Sequence, residues 1–268
     1  MNKILLATTA LVLTAGMAAA EVKLKGDARF GLQYTEGATP ATTLHQRARV
    51  QFNMAGTTDG GLDFGTSFRI TSGGADIGKS TVWISGTFGK LAFGDVDSGD
   101  DSASLGIADI GIVGIGVDNL AETYWSKSDA NVLYTNSFGP IDFGVSYDLG
   151  ASEDWAAGVN YKGGTFEVGV GVDSLDTASV GGMVKAGAIT ANAIYSDRKG
   201  AANNPYGVDV SYKAGAATVT VAYGNDDAGT DGYGLGVSYD LGGGAKLVGG
   251  VGVVDGTTEA ELGMTFSF

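Results

Sequence analysis

The chain closes on TTEAELGMTFSF, Thr257 to Phe268. Ala260, Leu262, Met264, Phe266 and Phe268 alternate with Glu261, Gly263, Thr265 and Ser267. Successive side chains of a strand point to opposite faces. The segment therefore predicts a strand with one apolar and one polar face, ending on an aromatic residue. One such strand decides little. The same two-residue period recurs back along the chain, and that recurrence decides the fold.

Immediately upstream, the turn Leu241-Gly242-Gly243-Gly244 leads into a strand from Leu247 to Val254. Before it, Tyr233, Leu235, Val237 and Tyr239 share one face, as do Val219, Val221 and Tyr223, and Tyr206, Val208, Val210 and Tyr212. Ala188 to Ser196 and Thr177 to Lys185 are weaker, Ala- and Gly-rich strands. Phe166 to Val172 and Trp155 to Tyr161 flank the turn Lys162-Gly163-Gly164. Ile141 to Leu149 and Asn131 to Phe138 flank Gly139-Pro140. At the other end of the chain, Val22 to Tyr34, Leu44 to Met54 and Leu62 to Thr71 alternate in the same way. A turn, Thr57 to Gly61, joins the last two. Lys79 to Phe88 and Leu91 to Gly94 complete a count of about 16 strands. Spread over residues 21–268, that leaves roughly 15 residues for each strand and its connection, enough for spans of ~10 residues.

One stretch breaks the period. From Asp95 to about Thr123 no alternation is visible, and a connection of that length in a compact domain is usually functional or disordered.

Composition narrows the function classes. The 268 residues include 46 Gly and 3 Pro, with 1 His and no Cys. Glycine at that level without a collagen period implies many tight turns. Disulfides and thiolate chemistry are excluded. The formal charge of −14 makes the chain a poor partner for nucleic acid, which needs clustered Lys and Arg. Residues 1–20 read as a secretory signal peptide. Lys3 supplies the positive region, Ile4 to Leu13 the apolar region, and Ala18-Ala19-Ala20 the cleavage site before Glu21. No later apolar run is long enough for a spanning helix. An exported chain with this pattern must cross a membrane with strands, if it crosses one at all.

A soluble sandwich or solenoid also predicts alternation. Two features favour a membrane barrel instead. Many positions on the second face are charged or small polar along whole strands. Aromatics gather near strand ends (Tyr34, Phe88, Phe138, Tyr147, Tyr161, Tyr212, Tyr223, Tyr239, Phe268), as an interfacial girdle requires. The expected fold is an all-β, 16-stranded antiparallel transmembrane β-barrel over residues 21–268.

EVKLKGDARFGLQY (21–34), the hairpin RVQFNMAGTTDGGLDFGTSF (49–68), the run VWISGTFGKLAFGD (82–95), and VSYDLGGGAKLVGGVG (237–252) with the closing TFSF resemble the alphaproteobacterial, purple-bacterial type of Gram-negative general porins. The likeness is clear in the first hundred residues and the last forty, and is one of pattern between them. It implies a homotrimer of barrels in the outer membrane, in contact with lipid and lipopolysaccharide. It implies an inward-folded constriction loop, the third extracellular one, falling on Asp95 to Thr123. It also implies recognition of the terminal Phe268 by the barrel assembly machinery. The activity implied is passive, water-filled diffusion of ions and small hydrophilic solutes, without enzymatic chemistry. A solute-specific channel, or a plugged structural or enzymatic barrel, is the alternative.

A barrel of this size encloses water unless something fills it. Asp95, Asp97, Asp100, Asp101 and Asp109 on the loop are candidates for one side of a pore constriction, with Asp118 and Glu122 further along. Arg29, Arg47, Arg49 and Arg69 on the early strands, near Lys23 and Lys25, are candidates for the other. Opposed charges across a narrow, low-dielectric opening select ions and orient dipolar solutes. Ile107, Ile110, Ile112, Val113, Ile115 and Val117 make the loop's middle apolar. Such side chains in a wet lumen should pack against the wall or each other, narrowing the pore or giving it an apolar patch. The glycines between Gly111 and Gly116 lack the strand–turn–helix setting of a nucleotide loop. His45 has no evident catalytic or metal-binding partners, and no cofactor is expected. Acidic loops at Asp97, Asp100 and Asp101, or at Asp226, Asp227 and Asp231, have the oxygen chemistry to hold Ca²⁺.

Overall fold

The computed structural model describes residues 21–72, 77–125 and 128–268, with the backbone alone for Ile77 and Lys79. The leader assigned to residues 1–20 lies outside the described residues. Sixteen strands follow one another in chain order. They are β1 (Glu21–Thr35), β2 (Thr42–Thr57), β3 (Asp63–Thr71), β4 (Ile77–Gly86), β5 (Gly89–Gly94), β6 (Val132–Phe138), β7 (Ile141–Tyr147) and β8 (Trp155–Lys162). After these come β9 (Phe166–Asp173), β10 (Thr177–Ala186), β11 (Ile189–Arg198), β12 (Tyr206–Ala214), β13 (Ala217–Asn225), β14 (Asp231–Gly242), β15 (Ala245–Val254) and β16 (Thr257–Ser267).

Each strand pairs antiparallel with its neighbours, and β1 pairs with β16 to close the ring. Closure pairs every edge, so no row of backbone amides is left to face lipid. The closing seam sets Arg29 opposite Thr265, Gly31 opposite Gly263 and Gln33 opposite Glu261.

The period-two pattern decides what each face presents. Leu262 is 59 % exposed and Val170 51 % exposed. Leu24, Leu32, Val208, Val221 and Leu247 are exposed in the same way. Water would penalise so much apolar surface, and a bilayer does not. Aromatics bound this surface in two belts. Phe88, Phe138, Tyr161, Phe166, Tyr212, Tyr239 and Phe268 lie at the rim that holds Glu21 and the carboxyl-terminal Phe268. Tyr34, Tyr147, Trp155, Tyr195, Tyr206 and Tyr233 lie at the opposite rim, and all are exposed. On β12 and β14 the belts are six residues apart, roughly 20 Å along the strand.

The rims differ. At the terminal rim two-residue turns such as Gly139-Pro140, Gly187-Ala188 and Gly243-Gly244 connect strands. The opposite rim carries the longer connections, including 199–205 and the connection 95–131 between β5 and β6. The sequence reading of this loop ends near Thr123, whereas the structure carries it to residue 131. It also contains two short helical turns the sequence pattern does not announce: a 3₁₀ turn at Gly99–Ala103 and α1 at Val117–Ala121. Among the described residues no helix is long and apolar enough to cross a membrane.

Candidate functional site

The loop leaves β5 through Gly94, whose φ of 106° is closed to residues with a side chain at little cost. The Asp95 amide then donates to the Ser80 carbonyl at 2.9 Å, one more rung of the β4–β5 ladder, and the Val96 amide donates to the Gly94 carbonyl at 2.9 Å, a tight turn at the start of the loop. From there the loop touches strands from β7 round to β1. It lies on the face opposite the exposed apolar one: Ile112 Cδ1 would meet a Cβ on Gly263 at 2.5 Å, while the adjacent Leu262 points outward. The loop therefore runs inside the ring.

Its apolar middle is buried. Ile110 is 2 % exposed, Val117 1 % and Ala121 0 %. With Ile107 and Ile115 they form a cluster that takes in Ile194 and Ala222 of the wall. The wall makes room by presenting glycine. A Cβ on Gly250 would come within 2.7 Å of Ile110 Cγ2 and 2.9 Å of the Gly111 nitrogen. A Cβ on Gly158 would come within 2.9 Å of that of Ala103. The isoleucines thus pack both against one another and into a glycine-lined strip of wall. They do not form an apolar patch in the channel.

Polar anchors hold the same loop. Glu261 of β16 is 6 % exposed. One of its oxygens accepts the amides of Ile112 (2.5 Å) and Val113 (2.9 Å), and the other accepts Gln33 Nε2 (2.7 Å). Asp209 of β12, also buried, accepts the Ala108 amide and Asn192 Nδ2. The Ser146 hydroxyl accepts the Gly99 amide at 2.7 Å. Within the loop, Glu122 accepts the Ile107 amide at 3.0 Å. Buried carboxylates are tolerable only when they accept such bonds. Glu261 and Asp209 are the residues that sequence reasoning missed. The available signal was a carboxylate on the inner face of an otherwise small-residue strand.

The four expected arginines share the inner face of β1 to β3. Arg29 lies opposite Arg47, and Asp27 opposite Arg49. Asp27 accepts from Arg47 Nη2 at 2.9 Å and from Arg49 Nε at 2.8 Å, so one carboxylate offsets part of this basic patch. Arg29 donates to the Ile112 carbonyl at 2.8 Å and to His45 Nε2 at 3.0 Å, which ties it to the loop tip. Arg69 sits one strand further on, opposite Gln51.

The loop acids divide. Asp95 and Asp97 are exposed and line a cavity together with Arg69. Asp101 is exposed on the 3₁₀ turn. Asp100 is 2 % exposed, accepts from the Ser98 hydroxyl, and presses against Gly158 and Gly171 of the wall, away from open water. Asp109 reaches solvent, yet protein crowds around it. That desolvation, with the charges of Asp118 and Glu261 adding and Arg29 opposing, lifts its carboxyl to about 6. Burial first, then the neighbouring Asp118, Asp109 and Asp101, lifts Glu122 to about 7, against the Ile107 amide. Burial also raises Asp118.

His45 lies on the inner face, where it accepts from Arg29, so lipid outside the barrel has no access to it. Among the described residues no three His, Cys, Asp or Glu side chains converge on a metal position. Asp226 instead accepts the amides of Ala228 and Thr230, and Asp227 accepts the Tyr124 hydroxyl.

Comparison with known proteins adds four likenesses. Residues 7–259 match the family described as Gram-negative porin. A porin of Rhodobacter capsulatus is 33 % identical, with 92 % of this chain and all of that protein covered. A porin structure refined at 1.8 Å is 28 % identical with a TM-score of 0.72. A triple mutant of Rhodopseudomonas blastica porin is 24 % identical with a TM-score of 0.79. Both superpositions cover 92 % of this chain and 100 % of the other.

Proposed function

Since the chain belongs to the Gram-negative porin family, we propose that the loop and arginines described above form the selective constriction of a general diffusion channel. The channel lies in the outer membrane and passes ions and small hydrophilic solutes. One observation carries the assignment of the constriction. The loop is pinned by buried carboxylates and isoleucines against the wall from β7 to β1. The inner face of β2 to β6 keeps a cavity of about 260 Å³, and β4 to β8 beneath Ser102 keep one of about 560 Å³, instead of being filled. A loop held to one side narrows a barrel without plugging it.

The permeation path then runs between Arg29, Arg47, Arg49 and Arg69 on the wall and Asp95, Asp97, Asp101 and Asp109 on the loop. Charged groups on facing sides of a narrow pore set a transverse field. Asp27 weakens the basic side, so net selectivity leans to cations. The channel carries out no catalysis and needs no cofactor. In the membrane it assembles as a homotrimer among lipid and lipopolysaccharide, delivered by the barrel assembly machinery through Phe268.

Planar-bilayer conductance of refolded protein in a salt gradient tests this. Discrete steps in threes with a cation-selective reversal potential are expected. Silence from protein shown to be folded and inserted would refute the open channel.

A further inference from the structure

Away from the wall arginines, a cavity of about 440 Å³ opens at the terminal rim, below the glycines that seat Ile110. Its lining comes from β12 to β15 and includes Lys213, Thr218, Ser238, Asp240 and Lys246. Tyr212, Tyr239 and Leu247 adjoin these positions and point outward, so the period of two turns Lys213, Asp240 and Lys246 inward. Register sets Lys213 opposite Thr218, Thr218 opposite Ser238, and Asp240 opposite Lys246. The strands that carry the two lysines are separated by β13 and β14, roughly 14 Å from β12 to β15. Two lysine side chains can close that gap onto one small anion. Among the described residues neither lysine forms an ion pair, and the Thr218 and Ser238 hydroxyls make no hydrogen bond. One rung up, Ser211 and Thr220 satisfy each other at 2.8 Å. Asp240 commits one oxygen to the Gly242 amide at 2.8 Å, and its other oxygen accepts nothing. Along this rim from β10 to β15, Lys185, Lys213 and Lys246 stand with a single inner-face acid, Asp240.

Ammonium groups without carboxylate partners draw anions to this mouth. Two ammoniums and two hydroxyls are donors that a tetrahedral oxyanion satisfies together. The acid among them decides which oxyanion. A carboxylate repels a bound anion unless that anion brings a proton to share. Inorganic phosphate keeps a P–OH across the neutral range and can donate it to the open oxygen of Asp240. Sulfate has no such proton, nor has the phosphodiester of a lipid headgroup. The wall arginines offer no equivalent, because Asp27 is already bonded to Arg47 and Arg49. We propose that Lys213, Thr218, Ser238, Asp240 and Lys246 form a binding site for inorganic phosphate at the terminal-rim mouth of the lumen. The cavity is larger than one phosphate, so water fills the remainder and bridges the longer contacts. The site goes beyond the channel reading: a pore that only sieves has no need of it, and binding there does not depend on conduction.

Equilibrium dialysis of radiolabelled phosphate against the refolded protein in detergent micelles, at neutral pH and low salt, tests the site. Saturable phosphate binding is expected, with sulfate competing about tenfold more weakly, the worth of one charge-assisted hydrogen bond. Lys213→Gln and Lys246→Gln should each weaken phosphate binding about tenfold, for the same reason. Asp240→Asn supplies an amide that donates where the carboxylate only accepts, so sulfate should then compete as well as phosphate. Absence of saturable binding by protein with intact β circular dichroism overturns the site. Equal competition by sulfate in the unaltered protein does so too. Undiminished binding in folded Lys213→Gln or Lys246→Gln places the anion elsewhere, as on the wall arginines, and also overturns it. The sulfate competition in the unaltered protein decides the matter even where a variant fails to fold. Each of these outcomes leaves the channel reading standing, since none measures conduction.

Discussion

Glu261 shows how much one side chain decides. Its carboxylate accepts three N–H groups: the Ile112 and Val113 amides and the Gln33 side chain. Glu261→Ala leaves those donors unpaired, at about 1–3 kcal/mol each where they stay buried. The loop tip should detach while the barrel ladder stays intact. Single-channel records of this variant should flicker, and limited proteolysis should cut between residues 107 and 117. A quiet channel with a protected loop would count against Glu261 as the anchor. Glu122 gives a pH signature. Its carboxyl is lifted from the ordinary range to about 7 in the docked loop, so the docked state holds a proton that a released loop gives up. Docking is therefore strongest below about pH 4.5 and weakens as pH rises to about 7. Exchange protection of the Ile107 amide, corrected for intrinsic rate, should fall between pH 5 and pH 8. Glu122→Gln, which keeps an acceptor but loses the charge, should flatten that profile. Protection that rises with pH would contradict the assignment.

At the level of elements, the loop and the glycine strip are two halves of one contact. The strands opposite the isoleucines present Gly234, Gly236, Gly250 and Gly252, where any side chain would occupy the space of Ile110 or Ile115. Gly250→Val suits a strand by propensity. It also drives methyl groups into Ile110 and Gly111, an overpacking cost of about 1–3 kcal/mol. Ile110→Ala removes the same contact from the other side, at about 2–5 kcal/mol for a buried isoleucine. Both should loosen the loop and leave the barrel's β circular dichroism and resistance to detergent unchanged. If Gly250→Val destroyed the barrel, the glycine would be serving the ladder and not the loop. The alternation of small and apolar residues on β12 to β16 was legible in the sequence. That the small side faces a loop was not, because small lumen residues next to water have the same pattern.

At the scale of the molecule, ring closure joins β1 to β16 and brings Asp27, Arg29, Gly31 and Gln33 beside the last strand. In the proposed constriction it also sets wall arginines and loop acids on facing sides of the pore, the source of the transverse field. Such a field is screened by salt: the Debye length falls from about 10 Å at 0.1 M to about 3 Å at 1 M. The reversal potential should therefore show clear cation preference at low salt and approach the non-selective value near 1 M. Selectivity that survived 1 M salt undiminished would mean direct ion binding governs, not the transverse field. The sequence by itself determined the strands, their approximate number, the aromatic belts and the place of the long loop. Each follows from a period of two residues or a break in it, which is local information. Only the tertiary structure decided that the isoleucines seat on glycine, that Asp100 is buried while Asp95 and Asp97 are exposed, that Asp27 offsets the arginines, and that Glu261 and Asp209 hold the loop. The Glu261 contact with Ile112 spans 149 positions. No local pattern encodes such a pairing; it exists because closing a ring of sixteen strands places the end of the chain beside its middle.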